Sequence, residues 1–380
     1  MVIGFVQAFA TFLIGVVIAV ASNAAPVKHA AARSTARPLV QKLSLQQLAG
    51  QRIVYSYAGL RPPQSLLAAI RAGEAGGVIF FGPNVSSAAQ LRSVINELQA
   101  ASRASPLHTR LLMLTDQEGG EVRRLPGAPA PSEKQIGESS AATAAASAAG
   151  AGAARTLQGA GINVNLAPVV DVYRQPGNFI DEFQRSYSSN PGTVARLGAA
   201  FISTQQRAGV AATAKHFPGL GAAARSQNTV LVPVALKTPL ATLRAVDEAP
   251  YISAIAAGVK LVMTSWAIYP ALDSHLPAGL SSAVIQRELR GHLGFKGVTI
   301  TDGIDAGSLG PFGGVGNRAV LAASAGADLI LCATTNPDDN TPAIGAAARS
   351  AIASALARHR LSAAAATEAA SRILALRNNP

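Results

Sequence analysis

Residues 210–221 read VAATAKHFPGLG. A run of small apolar residues delivers two basic side chains, Lys215 and His216, and then breaks at Pro218-Gly219, as expected of a buried strand that ends in a loop. Seven other runs share that character: RIVYSYA (52–58), GGVIFF (76–81), RLLMLTD (110–116), INVNLAPVVD (162–171), VKLVMTSWA (259–267), GVTITDG (297–303) and ADLILCA (327–333). Ala-rich helical stretches lie between them, among them 87–103, 190–209, 238–258 and 281–294. Apolar strands alternating with helices predict a parallel sheet covered on its outer side. Eight such units predict an α/β fold, a (β/α)8 TIM barrel forming one catalytic domain over residues 43–380. A doubly wound open sheet would want a Gly-rich phosphate loop with a downstream acid, and none is present.

The polar residues fall at the ends of these runs: Asp116 after the third, Asp171 after the fourth, Lys215 and His216 in the fifth, Trp266 in the sixth and Asp302 in the seventh. In a barrel these positions meet at the C-terminal mouth, where active sites are built. One strand-end Asp can be a simple cap, but a register shared by five runs points to a site. Carboxylates accept from sugar hydroxyls, Lys and Arg donate to them, and one carboxylate can attack an anomeric carbon. The sequence offers no Cys or His cluster at zinc spacing.

Composition narrows the partners. At 49% hydrophobic and 14% charged, the chain can bury a large core. The net charge of +12 is spread thinly, without the basic stripe interleaved with aromatics that nucleic acid demands. It suits residence near an anionic envelope or polymer. Cys332, the lone cysteine, lies in the apolar run ADLILCA as a core residue that cannot form an internal disulfide. Residues 1–25 resemble a secretory signal peptide with cleavage near Ala24-Ala25, although their apolar length also permits an N-terminal membrane anchor. Residues 26–42 read as a linker. The expected location is secreted or cell envelope, with membrane association through the N-terminal segment as the alternative, and the oligomeric state is not legible.

Six stretches in order resemble the motifs of glycoside hydrolase family 3, nearest to its single-domain β-N-acetylhexosaminidase branch: LTDQEGGEVRRLPG (114–127), NVNLAPVVDV (163–172), DEFQRSYSSNP (181–191), KHFPGLG (215–221), YPALD (269–273) and GHLGFKGVTITDG (291–303). The resemblance implies a retaining glycosidase without metal or cofactor, acting on a carbohydrate that carries terminal β-N-acetylglucosamine-type residues. It places Asp302 at the nucleophile position, where a covalent glycosyl-enzyme would form. It implies that Asp116, Arg124, Arg185, Lys215 and His216 hold the sugar, with Asp171 in a supporting role. Glu118 and Asp305 are assigned nothing beyond capping or ion pairing.

One departure is specific. The branch carries an Asp-Ser-His triplet after its Lys-His motif, whose His is the general acid/base; aligned without gaps, it falls on Ser226, Gln227 and Asn228. Leu220 likewise stands where the motif has a second His. Neither Ser226 nor Asn228 exchanges a proton at useful pH, and a missing general acid removes about 10²–10⁴ in rate. Three explanations stay open: a different acid such as His216, Asp181 or Glu182; substrates whose leaving groups need little help; or a weakened or inactive barrel that binds cell-wall glycans.

Overall fold

Strands and helices alternate along the chain, and each expected apolar run supplies one strand of a closed parallel barrel. The computed structural model describes residues 38–334 and 336–380. The expected signal or anchor at 1–25 lies outside the described residues. Within the expected linker, residues 38–40 are helical, and Val40 is buried against the barrel's packing shell.

The strands are β1 (Ile53–Tyr55), β2 (Gly77–Ile79), β3 (Leu112–Thr115), β4 (Val164–Asn165), β5 (Ala211–Phe217), β6 (Leu261–Thr264), β7 (Val298–Gly303) and β8 (Leu329–Leu331). Each pairs with its sequence neighbours, and β8 closes on β1 through Ile330 opposite Ile53. Successive side chains on a strand point to opposite faces, so each run is divided between two cores. Val54, Leu112, Leu114, Val298, Ile300 and Leu329 fill the barrel interior, while Tyr55, Met113 and Ile330 face the helices.

Two helices show why the sequence starts them where it does. Ser87 accepts from the Gln90 N–H to cap Ala88–Arg103, and Asn190 accepts from the Thr193 N–H to cap Pro191–Arg207. The C-terminal helix Ala363–Asn378 sends Ile373 and Leu376 into the interior cluster. Its buried Arg377 bonds to the Arg110 carbonyl and to Gln51, just ahead of β3 and β1. This helix plugs the N-terminal end of the barrel, leaving the C-terminal end to open.

Three local features depart from the simple pattern. Only Val164–Asn165 of the fourth run forms continuous ladder, resumed by a single bridge from Val169 to Lys215, because Pro168 has no N–H to donate. The expected helix at 238–258 is interrupted by a wide π-type turn, Leu243–Asp247, before Ala249–Ala256; Pro250 cannot donate to the preceding turn. Two antiparallel hairpins, Gln117–Gly119 with Val122–Arg123 and Ile268–Tyr269 with Asp273–Pro277, extend the mouth beyond β3 and β6.

Candidate active site

A cavity of about 220 Å³ opens at the C-terminal mouth, and Asp116, Arg124, Arg185, Lys215, His216, Trp266 and Asp302 all line it. The strand-end residues of β3, β5, β6 and β7 therefore converge, as the barrel reading requires. Ligand pockets typically span roughly 300–1,000 Å³, so this is a small cavity, and its lining includes these charged groups.

Lys215 organises the basic side. Its buried ammonium donates to Asp116 Oδ1 at 2.8 Å and to Glu118 Oε1 at 2.7 Å. Burial by itself would lower its pKa, but Asp116 and Glu118 raise it above the ordinary lysine value, so Lys215 stays charged. Glu118 is equally enclosed and also accepts from Arg185 Nε at 2.9 Å and Nη2 at 2.9 Å. Burial pushes its carboxyl up, yet Arg185 and Lys215 outweigh that and hold it far below the usual carboxylate range. One anion thus fixes two cations by charge-assisted bonds.

The sequence allowed Glu118 only capping or ion pairing; it is an ion-pair partner, to two site cations at once, and a signal for its place in the site was there. It lies two residues beyond Asp116 on an extended segment, and an i, i+2 pair shares a face.

Arg124 follows the first hairpin, its N–H bonded to the Asp116 carbonyl at 3.1 Å. Its Nε is buried without a hydrogen-bond partner. His216 stands beside Arg185, whose Nη2 lies 3.5 Å from its Nε2. Its Nδ1 is 2.8 Å from Asp171 Oδ2. Asp171 is fully buried behind the cavity wall, and its other oxygen accepts from the His216 and Leu220 N–H groups at 3.2 and 2.7 Å. It orients the ring and the following loop without lining the cavity.

Asp302 is half-buried at the end of β7. Among the described residues its one hydrogen-bond partner is the Gly303 N–H at 2.7 Å. Trp266 donates from Nε1 to the Gly303 carbonyl at 2.9 Å, which ties the floor of the cavity to that strand end. Asp305 lies outside the cavity lining and pairs with Arg318 at 3.3 Å.

The loop after Lys215-His216 is pinned at several points. Tyr269 Oη donates to the Gly219 carbonyl at 2.9 Å, and Asn178 Nδ2 donates to the Gly221 carbonyl at 2.7 Å. Gly219 has φ +143° and lies against Asp247, where an added Cβ would come within 2.8 Å of the Asp247 Cβ. Burial pushes the Asp247 carboxyl up to about 7, against the lowering effect of Arg174 at 2.5 Å.

Farther along, Leu220, Thr229 and Val230 line the cavity and Asn228 does not. Asn228 Oδ1 accepts from the Val230 N–H at 2.9 Å, and Gln227 Oε1 accepts from the Ala224 N–H at 2.7 Å. Both amide oxygens are spent on their own loop. Val230 in turn accepts at its carbonyl from the Gly307 N–H at 2.8 Å, which closes the wall between the β5 and β7 loops.

Asp181 and Glu182, the other possible proton donors, are engaged elsewhere and do not line the cavity. Asp181 pairs with Lys134 at 2.8 Å and accepts from the Gly177 N–H at 2.7 Å, while Glu182 pairs with Arg225 at 2.5 Å. Buried Glu133 accepts from the Val169 N–H at 2.9 Å; burial first, and then Glu118, push its carboxyl well above the ordinary range.

Comparison with known proteins places this geometry. The family model "Glycosyl hydrolase family 3 N terminal domain" matches residues 41–376. An uncharacterized secreted glycosyl hydrolase of Arthroderma benhamiae is 47% identical over 338 residues, covering 88% of this chain and 94% of the relative. A glycoside hydrolase family 3 β-N-acetylglucosaminidase from a Paenibacillus species superposes with TM-score 0.82 at 35% identity, over 89% of this chain and 62% of that longer one. The β-N-acetylhexosaminidase of Beutenbergia cavernae superposes with TM-score 0.78 at 32% identity, over 89% of this chain and 99% of that one. With an eight-stranded barrel, an acid-and-base-lined mouth and a family match across nearly all of the described residues, the chain belongs to glycosyl hydrolase family 3 and is a glycosidase similar to its hexosaminidases.

Proposed function

We propose that this chain is a retaining β-N-acetylglucosaminidase that removes terminal β-N-acetylglucosamine-type residues from cell-wall-type or chitin-type glycans. The observation that carries the reading is Asp302, without an ion-pair partner among the described residues, sharing one cavity with the Asp116, Arg124, Arg185, Lys215 and His216 set. In this reading Asp116 accepts from sugar hydroxyls, and the four basic side chains donate to ring substituents. The Asp302 carboxylate attacks the anomeric carbon as the bond to the leaving oxygen breaks, and water then hydrolyses the glycosyl-Asp302 ester with net retention. The acetamido preference follows the named relatives.

The proton for the leaving oxygen is the open step. Of His216, Asp181 and Glu182, His216 alone borders the cavity, with Asp171 behind it in the manner of an oriented base. We assign it that proton. The test is hydrolysis of aryl N-acetyl-β-glucosaminides of graded leaving-group acidity, with retention checked by NMR. Asp302→Ala abolishes turnover on all of them. His216→Ala loses most on the poorest leaving groups; an equal loss across the series leaves His216 a binding residue only.

A second reading, a barrel that binds glycans without turning them over, is favoured by one observation: the Asn228 amide oxygen is committed to the Val230 N–H of its own loop. It predicts no hydrolysis of any substrate, with sugar binding lost on Arg124→Ala.

We also propose export. The apolar N-terminal run and the secreted Arthroderma relative support it. N-terminal sequencing of secreted protein checks it.

A further inference from the structure

Away from the mouth, on the outer layer of the barrel, the helical segments that follow β5 and β6 bring three side chains together. Glu248 sits where the turn Leu243–Asp247 passes into Ala249–Ala256; Glu288 and His292 lie at i, i+4 on Ala283–His292. One carboxylate oxygen from each glutamate and an imidazole nitrogen fall within 4.8 Å of one another. None of the three lines the active cavity.

The residue that gives this cluster meaning is Glu248. It is 1% exposed, and both of its carboxylate oxygens are buried without a hydrogen-bond donor. A carboxylate taken out of water needs a counter-charge or donors; the group within hydrogen-bond reach of Glu248 is Glu288, itself a carboxylate, and Arg244 acts on Glu248 only through space. The neighbouring cation, Arg244, is spent on Glu288, to which it donates from Nε at 2.7 Å and from Nη2 at 2.9 Å. Asp247, next in the chain, is engaged by Arg174. His292 is half-exposed, with Nε2 3.9 Å from Glu288 Oε1, so its ring borders both the cluster and solvent.

We propose that Glu248, Glu288 and His292 bind a divalent cation of the zinc type. Two carboxylate oxygens and one imidazole nitrogen make a donor set suited to zinc, with a fourth position open to water. Calcium and magnesium prefer oxygen ligands alone and more of them. Arg244 neutralises Glu288, so the ion's charge is matched chiefly by Glu248, the group that lacks a donor. Coordination requires His292 to close on the glutamates, which its exposure permits. The ion ties the helix after β5 to the helix after β6 and takes no part in the sugar chemistry.

The experiment uses tag-free, chelator-treated full-length protein titrated with zinc chloride, followed by calorimetry and by thermal denaturation. Wild type and Asp302→Ala are expected to bind one equivalent, with a rise in melting temperature. His292→Ala and Glu248→Gln each weaken the binding at least tenfold and remove the rise. Saturable binding that is absent, or that persists unchanged in both variants, overturns the proposal. So does Glu248→Gln melting higher than wild type while wild type ignores zinc, because the two glutamates then share a proton. His292 is half-exposed, so its variant carries the test if Glu248→Gln fails to fold.

Discussion

Replacing Glu118 by Gln keeps the size of a 1%-exposed side chain and removes the charge that two cations share. Three charge-assisted bonds converge on that carboxylate, at 2.9 and 2.9 Å from Arg185 and 2.7 Å from Lys215. A glutamine offers one acceptor oxygen, and its NH₂ must face one of the two cations. At least one bond is lost outright, about 1.5–3 kcal/mol for a bond to a charged group. Removing one partner of a buried ion pair costs about 3–5 kcal/mol, because the remaining charge is stranded.

Lys215 keeps Asp116, so the larger figure applies mainly to Arg185, and a loss of about 3–4 kcal/mol in folding stability is expected. Guanidinium denaturation of both proteins measures it. Arg185 and Lys215 would also shift from their places in the cavity, and a misplacement of about 1 Å can cost on the order of 10²-fold in rate, read as kcat/KM on an aryl N-acetyl-β-glucosaminide. Asp305→Asn is the control: that carboxylate is 39% exposed on its side chain and pairs with Arg318, so under about 1 kcal/mol is expected. If Glu118→Gln lay within 1 kcal/mol and tenfold of wild type, as Asp305→Asn should, the account of Glu118 as the anchor of both cations would be wrong.

Other outcomes follow from the same geometry. Glu133 has a raised carboxyl pKa in the fold, so its contribution is fully present below the ordinary carboxylate range and is lost as pH rises toward the folded value. Glu133→Gln should flatten the fall of melting temperature between mildly acidic and alkaline pH; an unchanged slope assigns that fall to other groups. Gly219→Ala meets both a φ of +143° and the Asp247 side chain, and should cost about 1–3 kcal/mol by denaturant titration. Ser226→Asp combined with Asn228→His should raise the hydrolysis rate by less than about tenfold, because position 228 does not line the cavity; a larger rescue would mean that the loop swings inward.

The sequence by itself determined the barrel, because eight apolar runs separated by helices admit few other ways to bury both faces of a parallel sheet. It also located Asp302, Lys215 and His216, since each closes a buried run and a parallel barrel carries such ends to one mouth. Other features depended on contacts between residues distant in the chain. Glu118 looked like a spare carboxylate beside Asp116; its weight comes from Arg185, 67 residues away, and from Lys215 on β5. The two hairpins rest on short pairings without strong local preference. The wide turn before Ala249–Ala256 exposed no periodic signal, yet it sets Asp247 against Gly219 and Glu248 beside Glu288.

At position 228 the sequence showed that an ionisable side chain was missing, and only the folded loop decided that the asparagine amide would serve the Val230 N–H instead of the cavity. Strand identity is written in local hydrophobic pattern, whereas the pairing of a buried charge depends on which distant groups the closed sheet brings within about 3 Å of it.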